Sequence, residues 1–292
     1  MADVVILGRG PAGISTALYT ARAGLDTLVI GRGGGSLLKT DKIENYYGFA
    51  EPVPGKTLLE NGVAQARRVG AEIVEDEVVG IAFDSRFAVS TASGLFRAPF
   101  VVLATGSSRR APKIPGLAEF EGRGVSYCAV CDGFFYRRKN VAVLGAGDYA
   151  LHEAAELLPL AAKVTVLTDG EEPRAKFPPE LAVEKKKIGA LFGGEKLAGV
   201  RLADGSELET AGLFVALGVA GSTDLARKLG VQTKGPAVVV DEDRRTNVPG
   251  FYAAGDCTGG LMQISKAVAD GAIAGTSVVK AFRAQSAVRS AP

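Results

Sequence analysis

Residues 3–13 read Asp-Val-Val-Ile-Leu-Gly-Arg-Gly-Pro-Ala-Gly, and this segment is the strongest indication of the fold. An apolar run rich in β-branched side chains ends in a G-x-G-x-x-G turn formed by Gly8, Gly10 and Gly13, and a helical pattern and a second apolar run at 27–30 follow. In such a strand–turn–helix–strand unit, the glycines let the backbone approach a pyrophosphate, and the helix N-terminus presents free N–H groups to it. The sequence therefore predicts a dinucleotide-binding unit at the start of the chain.

A second copy of this unit lies in the middle of the chain. A predicted strand at 140–144 leads into a G-x-G-x-x-A turn at 145–150, and a helical segment and a strand at 163–167 follow. The next segment, 169–180, contains three prolines, which exclude a normal long crossover helix. The second copy is therefore predicted to be shortened.

Together these patterns predict an α/β fold with two nested Rossmann-like dinucleotide-binding domains, the second of them shortened. Segments rich in proline and glycine at 111–116 and 234–236 are typical of linkers. We therefore place the first, discontinuous domain at 1–111 and 236–292 and the second domain at 112–235.

The composition excludes several classes of protein. The chain has 292 residues, of which 47% are hydrophobic and 23% charged, so a disordered or fibrous protein is not expected. Its 34 lysines and arginines against 32 acidic residues give a net charge of +2, which does not favour nucleic-acid binding. No uncharged apolar run approaches the ~18–20 residues of a membrane helix, and the N-terminus lacks the features of a signal peptide. We expect a cytoplasmic protein without nucleic-acid or membrane partners.

Two of the three cysteines form the motif Cys128-Ala129-Val130-Cys131. A structural zinc site needs about four ligands, and the other candidates are Cys257 and the sole histidine, His152. A dithiol/disulfide couple is favoured over zinc, because a C-x-x-C turn holds both sulfurs within bonding distance. We therefore expect no metal, and no catalytic role for Cys257 or His152.

Four motifs along the chain together resemble one family. In chain order they are Gly8-x-Gly10-x-x-Gly13, Ala104-Thr105-Gly106, Val125-Ser126-Tyr127-Cys128-Ala129-Val130-Cys131-Asp132-Gly133 and Ala253-Ala254-Gly255-Asp256. On these motifs the whole chain resembles the low-molecular-weight thioredoxin reductases. The resemblance implies an FAD domain assembled from both ends of the chain, a smaller domain between them that carries the redox pair, and a homodimer. It also implies electron transfer to thioredoxin or a thioredoxin-like protein.

The resemblance also implies roles for individual residues. Cys128 would attack the disulfide of the protein substrate, Cys131 would face the flavin, and Asp132 would protonate a departing thiolate; the alternative for Asp132 is to cap the following turn. The final helix, predicted at 263–283, would direct its N-terminus at the flavin and stabilise the charge of the reduced ring. The residues implied to bind FAD are Gly8, Gly10, Pro11, Ala12, Gly13, Arg32, Gly35, Ser36, Leu37, Asn45, Val78, Ala104, Thr105, Gly106, Gly255, Asp256, Gln263 and Ile264.

The second domain departs from the NADPH-dependent members of this family. Those members carry His-Arg-Arg-x-x-x-Arg after its second strand, where the arginines bind the 2′-phosphate, whereas residues 168–174 here read Thr-Asp-Gly-Glu-Glu-Pro-Arg. Three carboxylates beside one arginine would repel a phosphate. Asp169 would suit the ribose 2′-hydroxyl of NADH, but Asp148 and Tyr149 bring charge and bulk to the turn where its pyrophosphate would lie.

These departures lead to ranked hypotheses for the electron donor. The chain resembles a subgroup of the family that has a shortened second domain and is reduced by ferredoxin, so ferredoxin is the leading donor and NADH the runner-up. The alternatives from other classes are a flavoprotein redox sensor without turnover, and an NAD(P)H oxidase or ferredoxin–nucleotide reductase. Basic runs that would suit an acidic ferredoxin occur at 109–110, 137–139 and 185–187.

Overall fold

Short apolar runs, several of which end at glycines, form the strands of this α/β protein. The computed structural model describes residues 2–106, 112–217 and 221–289. The described strands, in chain order, are β1 (Val4–Leu7), β2 (Thr27–Ile30), β3 (Glu72–Val74), β4 (Val78–Phe83), β5 (Phe87–Thr91), β6 (Leu95–Ala98), β7 (Phe100–Leu103), β8 (Val125–Ser126), β9 (Asn140–Leu144), β10 (Lys163–Leu167), β11 (Ala182–Glu184), β12 (Ile188–Gly193), β13 (Leu197–Leu202), β14 (Glu207–Glu209), β15 (Gly212–Val215), β16 (Thr233–Lys234), β17 (Ala237–Val238) and β18 (Phe251–Ala253). The described α-helices are α1 (Pro11–Arg22), α2 (Gly55–Arg68), α3 (Ala129–Asp132), α4 (Asp148–Leu157), α5 (Ser222–Lys228) and α6 (Ile264–Arg289), and short 3-10 helices cover Gly35–Lys39, Gly133–Tyr136 and Asp256–Thr258.

The described residues divide into two compact units, one formed by 2–106 with 221–289 and the other by 112–217. Each unit is built on a five-stranded parallel sheet, with the order β18-β7-β1-β2-β3 in the first unit and β11-β10-β9-β15-β8 in the second. Each unit also carries a three-stranded antiparallel sheet, β4-β5-β6 or β12-β13-β14. The predicted α/β fold with two dinucleotide-binding units is therefore confirmed.

The two parallel sheets form the centres of the two cores. All four residues of β1 are fully buried, and β9 is buried from its second residue onward. Strands of parallel sheets are typically covered on both faces, which explains why these runs are apolar throughout instead of alternating. None of the helices in the described ranges is both long enough and apolar enough to cross a lipid bilayer.

The second sheet lacks a crossover helix between β10 and the edge strand β11. β10 and β11 run parallel, and residues 168–181 connect them without a helix. The prolines of this segment remove backbone donors and restrict the backbone, which prevents a long helix from forming there. The predicted shortening of the second unit is thus confirmed, and it leaves an extended segment beside the second glycine turn.

The structural division near residue 235 differs from the sequence-based boundary. Residues 221–235, which the sequence pattern assigns to the second domain, belong to the first structural unit and contain α5 and β16. The Ser222 hydroxyl shares a hydrogen bond of 2.8 Å with the Thr105 hydroxyl of the same unit. The glycine and proline at 235–236 form the turn between the antiparallel strands β16 and β17, which explains why they looked like a linker.

Helices α1 and α6 pack with little space between their backbones. An ideal Cβ on Gly271 would lie 2.2 Å from the Ala12 carbonyl oxygen and 2.8 Å from the Ser15 Cβ. Across the same contact, the Ser15 hydroxyl donates to the Val268 carbonyl at 2.7 Å. A glycine on α6 is therefore what allows this helix to lie directly against the helix that follows the first glycine turn.

Replacing this glycine should destabilise the protein. We expect Gly271→Ala to lower the free energy of unfolding by about 1–3 kcal/mol, because the added methyl group would force the two helix backbones apart. Urea unfolding followed by circular dichroism measures the change. Gly94→Ala is the matched control, since no heavy atom lies within 4 Å of its Cβ position. Equal effects of the two substitutions would contradict the predicted role of the close helix contact.

Candidate active site

The two cysteines of the C-x-x-C motif lie just after β8, at the start of a one-turn helix. Cys128 is the N-cap of α3 and forms a disulfide with Cys131, with the two Cα atoms 5.3 Å apart. The Cys128 Sγ also accepts the backbone N–H of Cys131 at 3.2 Å. Within the described ranges, no three or more histidine, cysteine or acidic residues gather in a way that could hold a metal. Because the two sulfurs are joined, the pair can undergo the making and breaking of its disulfide.

The surface next to this disulfide is apolar. Cys128 is only 4% exposed, whereas Cys131 is exposed. Val130, Phe134 and Phe135 expose 57%, 69% and 70% of their surface, and we call these three residues the apolar surface of the disulfide. Exposed apolar groups that occur together on a folded chain mark sites of interaction with another molecule.

Asp132 is held next to the disulfide by a serine. Its Oδ2 accepts a hydrogen bond of 2.6 Å from the Ser126 hydroxyl, and the Ser126 oxygen accepts the Cys128 N–H at 3.1 Å. The Asp132 side chain makes no capping bond to the 3-10 turn Gly133–Tyr136 that follows it. The carboxylate is thus oriented by the strand that leads into the disulfide, and the alternative capping role is not what the structure shows.

A buried glutamate, which the sequence patterns did not single out, supports the disulfide from the other side. Glu153 on α4 is 1% exposed, and its Oε2 accepts the backbone N–H of Ala129 at 2.7 Å. This N–H is one of the donors that a helix N-terminus leaves without a backbone partner. Glu153 lies four residues from both Tyr149 and Leu157, which are buried on α4, and this spacing is the signal that would have placed it on the inner helix face.

The first glycine turn has the geometry that a dinucleotide needs. Gly8 has φ +114°, and a Cβ there would lie 2.3 Å from the Ala104 carbonyl oxygen, while a Cβ on Gly13 would lie 1.8 Å from the Gly8 carbonyl oxygen. In contrast, no atom lies within 4 Å of the Cβ position of Gly10. Gly8 and Gly13 therefore allow the turn to fold, and Gly10 leaves open space against bare backbone at the start of α1. A phosphate fits such a space.

The other predicted FAD-binding residues lie around this unit in several segments. Asn45 donates its side-chain N–H to the Gln263 Oε1 at 2.9 Å, so the loop after Ile43 is joined to the start of α6. Leu37 and Ile264 pack in the same apolar cluster. Pro11 and Ala12 begin α1, Gly35 and Ser36 begin a 3-10 helix, Val78 begins β4, and Ala104, Thr105 and Gly106 follow β7.

Two arginines of this unit are engaged in ion pairs. Arg32, a predicted FAD contact, pairs through its Nη1 with the Glu77 Oε2 at 3.1 Å. Arg9, which lies inside the glycine turn and was not predicted as a site residue, donates to the Gly33 carbonyl at 2.6 Å and pairs with Glu75 at 2.9 Å. Arg9 therefore fixes the loop after β2 against the first glycine turn.

The turn after β18 contains a partly exposed carboxylate, Asp256, next to a fully buried thiol, Cys257. Burial raises the pKa of the Asp256 carboxyl, while Lys266 acts to lower it and Asp270 to raise it. The adjacent Cys257 is fully buried, and its sulfur donates to the carbonyl oxygens of Leu103 and Ala254. Asp256 is therefore the polar, partly accessible residue of this turn, and Cys257 is a packing residue.

A later segment of the same unit, around Arg174 and Ala175, packs against the second glycine turn. The backbone N–H groups of Arg174 and Ala175 both donate to the Ala146 carbonyl, at 2.7 and 3.2 Å. Asp169, the residue that would suit a ribose of NADH, accepts the Ile188 N–H through its Oδ1 at 2.7 Å. We call residues 171–175 the strap, because this segment lies against the second glycine turn.

The basic runs that the sequence analysis associated with an acidic partner differ in their surroundings. The run at 109–110 lies outside the described residues. In the run at 185–187, two of the three lysines pair with carboxylates at 2.7 and 2.8 Å, which offsets most of its charge. The run at 137–139 is exposed and makes no ion pair with the described part of the chain.

One unit has a glycine turn fitted to a dinucleotide, and a second unit of related fold carries a disulfide beside a carboxylate. This combination defines a disulfide oxidoreductase with two nucleotide-type domains. The chain matches the family described as pyridine nucleotide-disulphide oxidoreductase over residues 2–271, and it belongs to that family. FAD is accordingly its cofactor.

Known proteins are similar to this chain along almost its whole length. A thioredoxin reductase from Listeria monocytogenes is 37% identical over 297 residues, covering 95% of this chain and 93% of that protein. The structure of the atypical thioredoxin reductase TRi from Desulfovibrio vulgaris Hildenborough is similar with 43% identity and a TM-score of 0.91, covering 97% and 98% of the two chains. A ferredoxin-flavin thioredoxin reductase from Clostridium acetobutylicum is similar with 31% identity and a TM-score of 0.73, over the same shares.

The buried thiol should be chemically silent in the folded protein. Burial raises the pKa of the Cys257 thiol to about 12, so almost no thiolate, the reactive form, is present near neutral pH. Ellman's reagent should detect no thiol in the native oxidised chain and one thiol per chain after denaturation, because the other two cysteines are joined. A thiol that reacts in the native oxidised protein would contradict this assignment.

Proposed function

We propose that this protein is an FAD-dependent disulfide reductase that transfers electrons through Cys128 and Cys131 to thioredoxin or a thioredoxin-like protein. The observation that carries the proposal is the disulfide at the start of α3, with the Asp132 carboxylate held beside it and exposed apolar side chains around it. A cofactor-binding module alone has no need of this combination. The similarity to thioredoxin reductases over nearly the whole chain supports the choice of substrate.

Each turnover moves two electrons and two protons to the substrate disulfide. FAD, when bound and reduced, would supply the two electrons that, with two protons, open the Cys128–Cys131 disulfide to a dithiol. The Cys128 thiol gives its proton to Asp132 and attacks one sulfur of the substrate disulfide, and the other substrate sulfur leaves and takes that proton from Asp132. The Cys131 thiol then loses its proton and attacks Cys128, which restores the disulfide, and the second substrate sulfur leaves as a thiol with that proton.

The surroundings of the pair favour Cys128 as the attacking sulfur. The Cys131 N–H that points at the Cys128 Sγ would stabilise a thiolate there, as donors at a helix N-terminus do. In the oxidised structure Cys131 is the more exposed of the two cysteines. This exposure suits the role of the sulfur that receives electrons from the flavin. The apolar surface of the disulfide offers a protein substrate a place to bind next to these sulfurs.

Single-cysteine variants test this assignment. We expect Cys128→Ser and Cys131→Ser to lose thioredoxin reduction while both keep FAD, because the flavin site lies in the other unit. Cys131→Ser should also trap a mixed disulfide with thioredoxin through Cys128, and Cys128→Ser should not, which non-reducing electrophoresis and mass spectrometry measure. Cys257→Ser is the matched control and should retain activity. Trapping only in the Cys128→Ser variant would reverse the roles, and full activity in either variant would refute the mechanism.

We further propose reduced ferredoxin as the electron donor, in place of a pyridine nucleotide. The supporting observation is the strap, which lies so close to the second glycine turn that the Arg174 N–H reaches the Ala146 carbonyl at 2.7 Å. The Arg174 guanidinium of the strap is paired with Glu171 at 2.5 Å, so it is not available for a 2′-phosphate. Asp148 in the first turn of α4 also disfavours a diphosphate at that helix N-terminus.

NADH remains the second candidate donor, because Asp169 keeps one carboxylate oxygen beyond its bond to Ile188. A redox sensor without turnover and an NAD(P)H oxidase or ferredoxin–nucleotide reductase are the functions of other classes that the experiments separate.

We also propose a homodimer that works in the cytoplasm, where a dithiol that donates electrons persists. Light scattering coupled to size-exclusion chromatography measures the oligomeric state.

The donor is tested by anaerobic flavin reduction. We expect the flavin absorbance of the purified protein to be bleached by reduced ferredoxin and to stay unchanged with NADPH or NADH, because the strap and its carboxylates exclude a second dinucleotide. Rapid bleaching by either nucleotide would contradict this. Oxidised thioredoxin added to the reduced protein should restore the absorbance, and its failure to do so would favour the sensor. Turnover that survives in the cysteine variants would favour the oxidase.

A further inference from the structure

Asp270, a buried carboxylate on α6, bonds to the turn that contains Asp256. The Asp270 side chain is 2% exposed and carries two ion pairs, from its Oδ1 to the Arg244 Nη2 at 2.9 Å and from its Oδ2 to the Lys266 Nζ at 2.7 Å. The same Oδ2 accepts the Gly255 N–H at 3.0 Å. An uncompensated charge at this depth would be costly, so the two cations and this carboxylate stabilise one another.

Lys266 completes the attachment of this turn. Besides Asp270, its ammonium donates to the Gly255 carbonyl at 2.8 Å and to the Thr258 hydroxyl at 2.7 Å. An ammonium has three N–H groups, and these three partners use all of them. One turn of α6 therefore holds both the N–H and the C=O of Gly255 and the side chain of Thr258. We call residues 255–258 the Asp256 turn.

The Asp256 carboxylate lies between the two residues that Lys266 contacts and makes no bond of its own to the described residues. Asp256 lies between Gly255 and Thr258, and its side chain makes no hydrogen bond or ion pair with the described part of the chain. It is nevertheless partly buried, and burial raises its pKa. The carboxylate is therefore free to accept hydrogen bonds from a ligand at this position.

The charges of this region also balance. Asp256 and Asp270 are negative, and Lys266 and Arg244 are positive, so the group as a whole is neutral at neutral pH. FAD carries a negatively charged diphosphate, which would be repelled if the two carboxylates stood there alone. The removal of Lys266 would leave the group with a net negative charge and release the Gly255 carbonyl.

We propose that Lys266 is a positioning residue for FAD, which holds the Asp256 turn in place so that the Asp256 carboxylate meets the cofactor. This inference rests on the proposed role of Asp256 in binding FAD, and it assigns to Lys266 a role that acts through Asp256. Neither the sulfur chemistry nor the electron donor enters into it.

The rate of FAD release from the holoenzyme tests the proposal. Flavin fluorescence after dilution reports release, and we expect Lys266→Met to accelerate it about tenfold or more, as hydrogen bonds to charged groups are lost. Asp256→Asn should accelerate release as well. Because Lys266 acts through Asp256, Lys266→Met should add less than about twofold in the Asp256→Asn background, a coupling that a double-mutant cycle measures.

The controls separate this role from general stability. Lys280→Met removes an exposed lysine from the same helix and should leave release unchanged. Urea unfolding shows whether each variant folds, and Lys266→Gln, which keeps a side-chain donor, should show an intermediate release rate. Additive effects of Lys266→Met and Asp256→Asn would overturn the proposal while leaving the role of Asp256 intact. Unchanged release in Asp256→Asn would overturn both assignments.

Discussion

At both glycine turns, the backbone of the turn lies against the carbonyl group that follows a neighbouring strand of the same sheet. A Cβ on Gly8 would lie 2.3 Å from the oxygen of Ala104, and a Cβ on Gly145 would lie 2.2 Å from the oxygen of Ala216. Ala104 follows β7 and Ala216 follows β15, which are the neighbours of β1 and β9. The first glycine of each turn is therefore required by the sheet itself, before any ligand is considered. This constraint explains how the second turn keeps its glycine while the strap crosses it.

The second unit carries its disulfide on the elements of a nucleotide-type fold. The helix that begins at the second glycine turn supplies Glu153, which binds the Ala129 N–H at the start of the disulfide helix. The strand next to the glycine strand, β15, pairs with β8, which leads into Cys128. The elements of a nucleotide-type fold thus position the redox disulfide in this unit. The shortened connection between β10 and β11 does not affect the position of the disulfide, because β11 and β8 lie at opposite edges of the sheet.

Local sequence patterns were sufficient to predict the architecture. Contacts between residues that are distant in the sequence could not be predicted from those patterns. The strands at 27–30, 140–144 and 163–167 have the bounds that the apolar runs predict, since these runs are bounded by polar or glycine residues. The last helix extends beyond its predicted end at 283, because no residue that breaks a helix occurs before Arg289. The strap and the partners of Lys266 depend on where separate segments meet in space. A proline-rich segment indicates that a helix is absent, but it does not indicate which backbone the segment will touch.

The first sheet draws its strands from both ends of the chain. β1 and β7 precede the disulfide unit in the chain, whereas β18 and α6, which complete the sheet and cover α1, follow it. The disulfide unit is one continuous segment, 112–217. At about 5–20 residues per second, synthesis from β1 to the end of α6 takes roughly 15–60 s. Every residue of the disulfide unit, Cys128 and Cys131 included, is therefore synthesised before β18 and α6 complete the flavin unit.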